Sequence, residues 1–192
     1  MSEKILMFNC CHLITKMEEE GISNVYIDHL MNKISSSFRG TFSIDNIPTF
    51  DDESFSLIVN LSKENEKGSH FIAISSSKHK IVYFDSFGIP NTILSLEKYL
   101  EKYKKKIIRS KYQLQDEFSS HCGFFCISFI LCFEKDISLH KFLKMFHKKD
   151  LYLNDDICIK IITFFINSMY LRKLNLFNFI EIFHIFDYDI LK

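Results

Sequence analysis

Four polar residues in the middle of the chain have the types and the order that thiol-based acyl chemistry requires. Cys122 directly precedes a glycine and a long apolar run, at the expected start of a hydrophobic helix. His70 opens the apolar stretch FIAIS, Asp85 follows the stretch IVYF, and Gln115 lies seven positions before the cysteine. A thiol, a base, an acid that orients the base and an amide donor together suffice for nucleophilic attack on a carbonyl.

Each of these side chains has a predicted role. If the strands that carry His70 and Asp85 pair through the turn between them, the carboxylate accepts a proton from one imidazole nitrogen and the other faces the thiol. Helix N-terminal amides and a neighbouring imidazolium both stabilise a thiolate at Cys122. Gln115 is expected to donate an amide hydrogen to the oxyanion. Gly123 is expected to leave the backbone open to the substrate carbonyl, since it has no Cβ.

Every one of these residues also has a purely structural interpretation. His70 alone fits a partly buried histidine, and Asp85 before Ser-Phe-Gly fits the cap of a turn. Cys122 in a Phe-rich helix fits a core thiol, and Gln113 competes with Gln115 for the same role. The joint order favours the chemical interpretation, because each feature is common alone and their combination is rare. His121, beside the cysteine, is expected to be a loop residue without a catalytic part.

The periodicity of apolar residues predicts the elements that position this group. Helices are predicted over 2–20 and 23–36, residues 38–50 are expected to form a loop, and the period then changes to that of strands. The remaining predicted elements are strands over 54–62, 69–76, 80–88 and 108–114, and helices over 93–106, 122–134, 138–147, 155–171 and 174–186. This order predicts an α+β fold: a small central mixed β-sheet flanked by helices, with Cys122 at the N-terminus of a buried helix.

Length and charge narrow the class of protein. The 192 residues contain no Pro- or Gly-rich linker and are expected to form a single domain, 1–192. Lys+Arg and Asp+Glu are equal at 24 each, so no overall field attracts a nucleic acid or a membrane. The local exception is a basic cluster that is either a solvated helix end or a contact for a polyanion or an acidic peptide. It consists of Lys102, Lys104, Lys105, Lys106, Arg109 and Lys111.

The cysteines predict a reducing environment and no metal centre. Because Cys122 and Cys126 fall four residues apart in one apolar run, free thiols are expected, and no signal peptide is recognised. Cys10 and Cys11 are adjacent on a predicted helix and point in different directions, and no Cys-x-x-Cys pair exists for zinc. The sequence assigns no role to these two cysteines or to Cys126, Cys132 and Cys158. No uncharged apolar run reaches the roughly 18 residues of a membrane span.

The motifs SHFIAIS, VYFDSFG and QDEFSSHCGFFC resemble those of the adenain-type cysteine proteases of adenoviruses and of their relatives in virophages and Polinton elements. The resemblance covers about residues 20–133 and implies a papain-like or adenain-like fold, shared with the ubiquitin-like-protein proteases. It implies that His70 is the catalytic histidine, Asp85 the acid and Cys122 the nucleophile. Six residues separate Gln115 from the cysteine, as in adenain, whereas ubiquitin-like-protein proteases usually have five. This spacing favours the viral branch and Gln115.

Further positions bear on the same resemblance. The upstream stretch FRGTFSIDNIP is similar to a string that precedes the catalytic strands in the virophage and Polinton branch. Phe71 stands where the family usually has Trp after the histidine. No cysteine lies between Asp85 and Cys122 that could tether an activating peptide as in the adenoviral enzymes. The sequence requires no cofactor; an activating peptide, or DNA bound through the basic cluster, remains an open expectation.

The resemblance implies a viral maturation endopeptidase that cleaves capsid-protein precursors after small residues such as glycine, in the virion or the host-cell cytoplasm. One alternative keeps the chemistry and removes ubiquitin or a relative from host proteins. A second is an acyltransferase that uses Cys122 and requires a coenzyme A site. A third is a catalytically inert interaction protein, in which a mild alkylating agent would barely label Cys122.

Overall fold

The computed structural model describes residues 21–89 and 93–173, and the side chains among them as far as residue 169. Its elements are, in chain order, α1 (Asn24–Ile34), β1 (Phe38–Ser43), β2 (Phe55–Asn60), β3 (Phe71–Ser76), β4 (Lys80–Phe84), α2 (Leu94–Glu101), β5 (Lys106–Arg109), α3 (Cys122–Phe133), α4 (Leu139–Leu143), a 3-10 turn (Leu151–Leu153) and α5 (Asn154–Lys173). The predicted α+β class is confirmed, because the described strands form one five-stranded sheet flanked by helices.

The sheet is mixed, and its strands follow one another in space in the order β1-β2-β3-β4-β5. The central strands β2, β3 and β4 are antiparallel, whereas the edge strands β1 and β5 are parallel to their neighbours. Ala73 lies opposite Phe84, and Ser76 lies opposite Ile81. This register brings the residue before β3 and the residue after β4 to the same end of the sheet. The two residues are His70 and Asp85.

Both faces of the sheet are covered, and the central strands are buried along nearly their whole length. The face toward α3 and α5 includes Ile58, Ala73, Val82 and Phe84, and the face toward α2 includes Leu57, Val59, Ile72, Ile74, Ile81 and Tyr83. Helix α3 is buried from Gly123 to Cys132. A helix that is apolar on all sides belongs in the centre of a fold. Its first residue is held in place by this packing.

The structure corrects the prediction for 38–50, whose first part forms β1 and not a loop. Gly40 adopts φ 134°, and the pairing with β2 shifts register between Phe38 and Thr41. A bulged edge strand with glycine inside it lacks the regular alternation of apolar residues by which a strand is recognised.

The boundary between α2 and β5 also differs from the prediction. The helix expected over 93–106 ends at Glu101, and the strand expected over 108–114 is Lys106–Arg109. Lys104 takes a left-handed φ of 51° between the two elements. The chain turns from α2 into β5 at this residue. A left-handed conformation at a residue other than glycine cannot be recognised from the sequence.

Several predictions lie outside the described residues or are left open by them. The helices predicted over 2–20 and 174–186, and Cys10 and Cys11, fall in the undescribed parts. The single domain 1–192 therefore stays a prediction. Cys122, Cys126, Cys132 and Cys158 are free thiols. Among the helices that the structure describes, none has the length and apolarity needed to cross a bilayer.

Candidate active site

The β3–β4 hairpin places an imidazole against a fixed carboxylate. Nε2 of His70 lies 2.9 Å from Oδ1 of Asp85, and the Asp85 residue is only 2% exposed. The same carboxylate oxygen accepts the backbone N–H of Phe87 at 2.8 Å. The Ser110 hydroxyl accepts the N–H of Asp85 at 2.8 Å and donates to its carbonyl oxygen at 2.9 Å. The acid is thus held on both its backbone and its side chain.

The imidazole of His70 joins the carboxylate to the thiol. Because Nε2 is engaged with Asp85, Nδ1 is the nitrogen left to interact with the nearby thiol of Cys122, which helps to raise the pKa of the ring. The ring of Phe87 packs against the imidazole, with the two ring centroids 5.0 Å apart. The imidazole thus lies between the carboxylate of Asp85 and the thiol of Cys122, with the ring of Phe87 packed against it.

The surroundings favour a charged imidazole. Burial works against the charge on His70, but the hydrogen bonds to Asp85 and Cys122, together with the negative charges of both partners, outweigh it and raise the pKa of His70 to about 9. At neutral pH the ring therefore carries both protons. An imidazolium beside a sulfur favours the thiolate and holds a proton ready for a leaving group.

Cys122 is the first residue of α3, where unpaired backbone N–H groups point out of the helix. The expected role of Gly123 needs correction. A Cβ built on this glycine would overlap Cγ2 of Ile22 and would lie 3.4 Å from the ring of Phe71. The space beside Gly123 is therefore filled by the core and is not open to a substrate carbonyl. The glycine lets the segment before α1 pack against the start of the nucleophile helix.

Gln115 is buried, at 1% exposure, and its carboxamide is oriented by two hydrogen bonds. Oε1 accepts the hydroxyl of Ser86 at 2.6 Å, and Nε2 donates to the carbonyl oxygen of Ser119 at 2.7 Å. An amide nitrogen carries two hydrogens, so one N–H of Gln115 remains for another acceptor. The rival Gln113 donates its own Nε2 to the backbone oxygen of Gln115 at 3.0 Å. Gln115, and not Gln113, lines the same cleft as Cys122.

The four predicted residues meet at a cleft of about 830 Å³. His70, Gln115 and Cys122 line it, and Asp85 lies behind the histidine. The other walls come from the segment before and at the start of α1, from the connection between β2 and β3, and from the loop before α3. Their residues include Ile22, Val25, Asn60, Glu64, Gly68, Phe71, Phe87 and Ser119. The volume lies within the range of ligand-binding clefts, and the cleft is open to solvent, so a segment of a larger molecule can enter it.

Sequence reasoning missed several residues that hold this group together. Ser86 orients Gln115, and Ser110 clamps Asp85, as described above. Asn154 is fully buried; its Nδ2 donates to the carbonyls of Leu114 and His147 at 2.7 and 2.9 Å, and its Oδ1 accepts the N–H of His147 at 2.8 Å. It ties the segment that carries Gln115 to the start of α5. From the sequence alone, Asn154 can be recognised only as a residue near the start of a helix.

A second histidine–carboxylate pair lies on the other side of the nucleophile. Nδ1 of His121 is 3.3 Å from Oδ2 of Asp155 and 3.3 Å from the hydroxyl of Ser119. Burial raises the pKa of Asp155, against the lowering influence of Ser119 and His121. The other carboxylate oxygen is buried and finds no hydrogen-bond partner within the described residues. His121 is therefore a packed contact between the start of α3 and that of α5.

The basic cluster is partly engaged within the fold. Arg109 pairs with Glu97 at 2.6 Å, and Lys105 donates to the carbonyl of Glu53 at 2.7 Å and to the hydroxyl of Ser76 at 2.8 Å. Lys102 lies over the ring of Tyr99. Half of the six basic residues thus have internal contacts. Nucleic-acid binding by this cluster stays a prediction.

Comparisons with known proteins give weak similarities. No protein-family model matches the chain, and no curated protein matches it in sequence. Among solved structures, the pS273R protease of ASFV has a TM-score of 0.42 and 17% identity over 54% of this chain and 43% of that chain. A deletion variant of AvrA with IP6 and CoA has a TM-score of 0.40 and 11% identity, over 88% and 82% respectively. The chain thus spans less than half of the ASFV protease. Identities and TM-scores this low do not assign a function to the chain.

Proposed function

We propose that this chain is a cysteine endopeptidase of the adenain-like type, with His70, Asp85, Gln115 and Cys122 as its catalytic residues. The observation that carries the proposal is the position of His70. Its imidazole bonds to a buried carboxylate, and the thiol at the start of α3 is near enough to help raise its pKa, at the wall of an open cleft. A core thiol would have neither an oriented base nor a cleft beside it.

The first step is attack of the Cys122 sulfur on the scissile carbonyl carbon. The S–C bond forms, and the carbonyl electron pair moves to the oxygen. That oxygen can accept the free N–H of Gln115 and an unpaired backbone N–H of the first turn of α3. His70 then gives its proton to the amide nitrogen, the C–N bond breaks, and the amine leaves.

The second half returns the enzyme to its starting state. A water molecule enters beside His70, which now has a free nitrogen and takes a proton from the water as it attacks the thioester carbon. The S–C bond breaks, the acid product leaves, and the thiolate is restored beside the imidazolium. Asp85 keeps Nε2 engaged throughout, so that the working nitrogen always faces the sulfur.

The substrate is proposed at two levels. The open cleft supports an extended polypeptide as the substrate class. The motif resemblance supports, more finely, the capsid-protein precursors of a virus-like element, cleaved after small residues such as glycine in the virion or in the host-cell cytoplasm. The alternatives are release of a ubiquitin-like protein and transfer of an acyl group from coenzyme A, and the test below separates them.

The test co-expresses the chain with the capsid precursor of the same element and compares wild type with Cys122→Ala and Cys126→Ala. Cys126 is a matched control because it is a fully buried thiol one turn further along the same helix. A new protein N-terminus that appears with wild type and Cys126→Ala, and is lost with Cys122→Ala, supports the proposal. Identical fragments with the wild type and both variants contradict it. Cleavage confined to a ubiquitin-like conjugate, or acetylation that depends on acetyl-coenzyme A, indicates the corresponding alternative.

A further inference from the structure

Asn60 is a buried amide that the chemistry described so far does not use. It is the last residue of β2, it lies opposite Phe71 beside the catalytic histidine, and it is 7% exposed. Its Oδ1 accepts the backbone N–H groups of Ser62 at 3.0 Å and of Ser69 at 3.3 Å. Two N–H donors at one end of the carboxamide fix its orientation, since the flipped amide would oppose donor to donor. The nitrogen must therefore occupy the other end.

The nitrogen of this amide faces the cleft without a partner. Asn60 lines the cleft with His70 and Cys122, and within the described part of the chain no acceptor takes a hydrogen from its Nδ2. A Cβ built on Gly68 would lie 2.8 Å from this nitrogen. The missing side chain at position 68 leaves the amide uncovered. Because the nitrogen is not fully enclosed, an acceptor that enters the cleft can reach its hydrogens.

We propose that Nδ2 of Asn60 donates to a backbone carbonyl of the bound substrate polypeptide. The inference rests on the proposed peptidase function and adds a binding residue to it. Ser69 joins the two sites directly, since its N–H bonds to Oδ1 of Asn60 and its neighbour is His70. A polypeptide bound in this cleft meets both groups, since Asn60 and Cys122 line it together. The proposed acceptor is a main-chain carbonyl, because every extended peptide presents one. Gly68 has no side chain that could form a pocket wall beside this neutral amide donor, so the amide has no means of selecting a particular substrate side chain.

The test separates binding from the reactivity of the cysteine. Asn60→Asp keeps an oxygen for Ser62 and Ser69 but removes the donor hydrogens, and Gly68→Ala keeps Asn60 but covers its nitrogen. Asn167→Asp is the control, because it makes the same chemical change at a partly exposed residue of α5 that does not line the cleft. For each variant, kcat and KM are measured on a peptide from the mapped cleavage site. The rate of Cys122 alkylation by iodoacetamide and the melting temperature are measured alongside.

Asn60→Asp and Gly68→Ala are expected to lower kcat/KM about tenfold, mainly through KM, with alkylation of Cys122 within about twofold of wild type. The loss should persist when each substrate side chain near the cleavage site is replaced by alanine. Peptide kinetics equal to wild type in both variants would overturn the inference while leaving the peptidase intact. A loss that vanishes with one substrate side chain overturns the backbone assignment. Absence of cleavage by the wild-type protein would instead remove the proposed function and this inference with it.

Discussion

The hydroxyl of Ser86 donates to Oε1 of Gln115 over 2.6 Å, and both side chains are buried. This bond fixes which end of the Gln115 amide faces the cleft. Ser86 directly follows Asp85, so one tight turn after β4 supplies both the acid and the residue that orients the predicted oxyanion donor. The position of the acid and the orientation of the Gln115 amide thus depend on two adjacent residues, Asp85 and Ser86.

This relationship predicts a graded loss of activity at Gln115. Gln115→Ala should lower kcat about 10²- to 10³-fold, because one oxyanion donor is removed. Ser86→Ala should lower kcat less, about tenfold, since the amide remains but is no longer fixed. Steady-state kinetics on a peptide substrate measure both effects. Gln113→Ala is the control and should stay within about twofold; an equal loss there would mean that the loop as a whole, and not Gln115, is responsible.

The pH dependence of activity should report the proton on His70. The pKa of His70 is raised to about 9, so its imidazolium persists up to that pH and kcat/KM should fall above it. Asp85→Asn removes the negative charge that helps to raise this pKa. In that variant the alkaline limb of the kcat/KM profile should move to lower pH, and the activity at neutral pH should fall at least about tenfold. A profile with the same alkaline limb in both proteins would contradict the pairing.

Stability should vary with pH through the same group. The folded-state pKa of about 9 lies above the ordinary histidine value of 6.5, so the folded protein binds this proton more tightly than the unfolded chain does. The contribution of His70 is therefore complete below about pH 6.5 and is lost as the pH rises through about 9. Urea unfolding at pH 6 and pH 9.5 measures it. The difference in free energy of unfolding between the two pH values should shrink in His70→Gln.

The contact between Gly123 and Ile22 predicts a defect that a second substitution repairs. Gly123→Ala places a methyl group where Ile22 already packs and should destabilise the fold by about 1–3 kcal/mol. Ile22→Ala in the same chain makes room for the methyl group and should recover part of that loss. Urea unfolding of the two single variants and the double variant gives the coupling free energy. Additive effects would show that the two residues are not in contact.

The local parts of this site could be predicted from sequence, since they depend on neighbouring elements. A hairpin with a short turn brings the residue before one strand close to the residue after the next, which placed His70 beside Asp85. The apolar run after Cys122 predicted a buried helix with the thiol at its start. The spacing in the adenain-type proteases, which the motifs of this chain resemble, favoured Gln115 over Gln113.

The remaining contacts depend on how distant segments pack, and no periodicity encodes them. Gly123 has a predicted open backbone, but Ile22, about a hundred residues earlier, fills the space. Asn154 and Asp155 begin a helix and reach back to the loop before α3. Asn60 ends a strand whose residues are mostly apolar, and the sequence does not show that the nitrogen of its amide lies beside Gly68. Strand β1 was not predicted for a related reason. It is recognised by its hydrogen-bonded pairing with β2, and its sequence has no regular alternation of apolar residues.

The central claim is that His70 activates the sulfur of Cys122, and alkylation mapped by mass spectrometry tests it most directly. At pH 7, a small excess of iodoacetamide should label Cys122 in the native protein while Cys126, Cys132 and Cys158 stay unlabelled, since these three are buried. In His70→Ala the rate at Cys122 should fall at least about tenfold, because the imidazolium that favours the thiolate is gone. A rate at Cys122 that is unchanged by His70→Ala, or no faster than at the three buried thiols, would contradict the account.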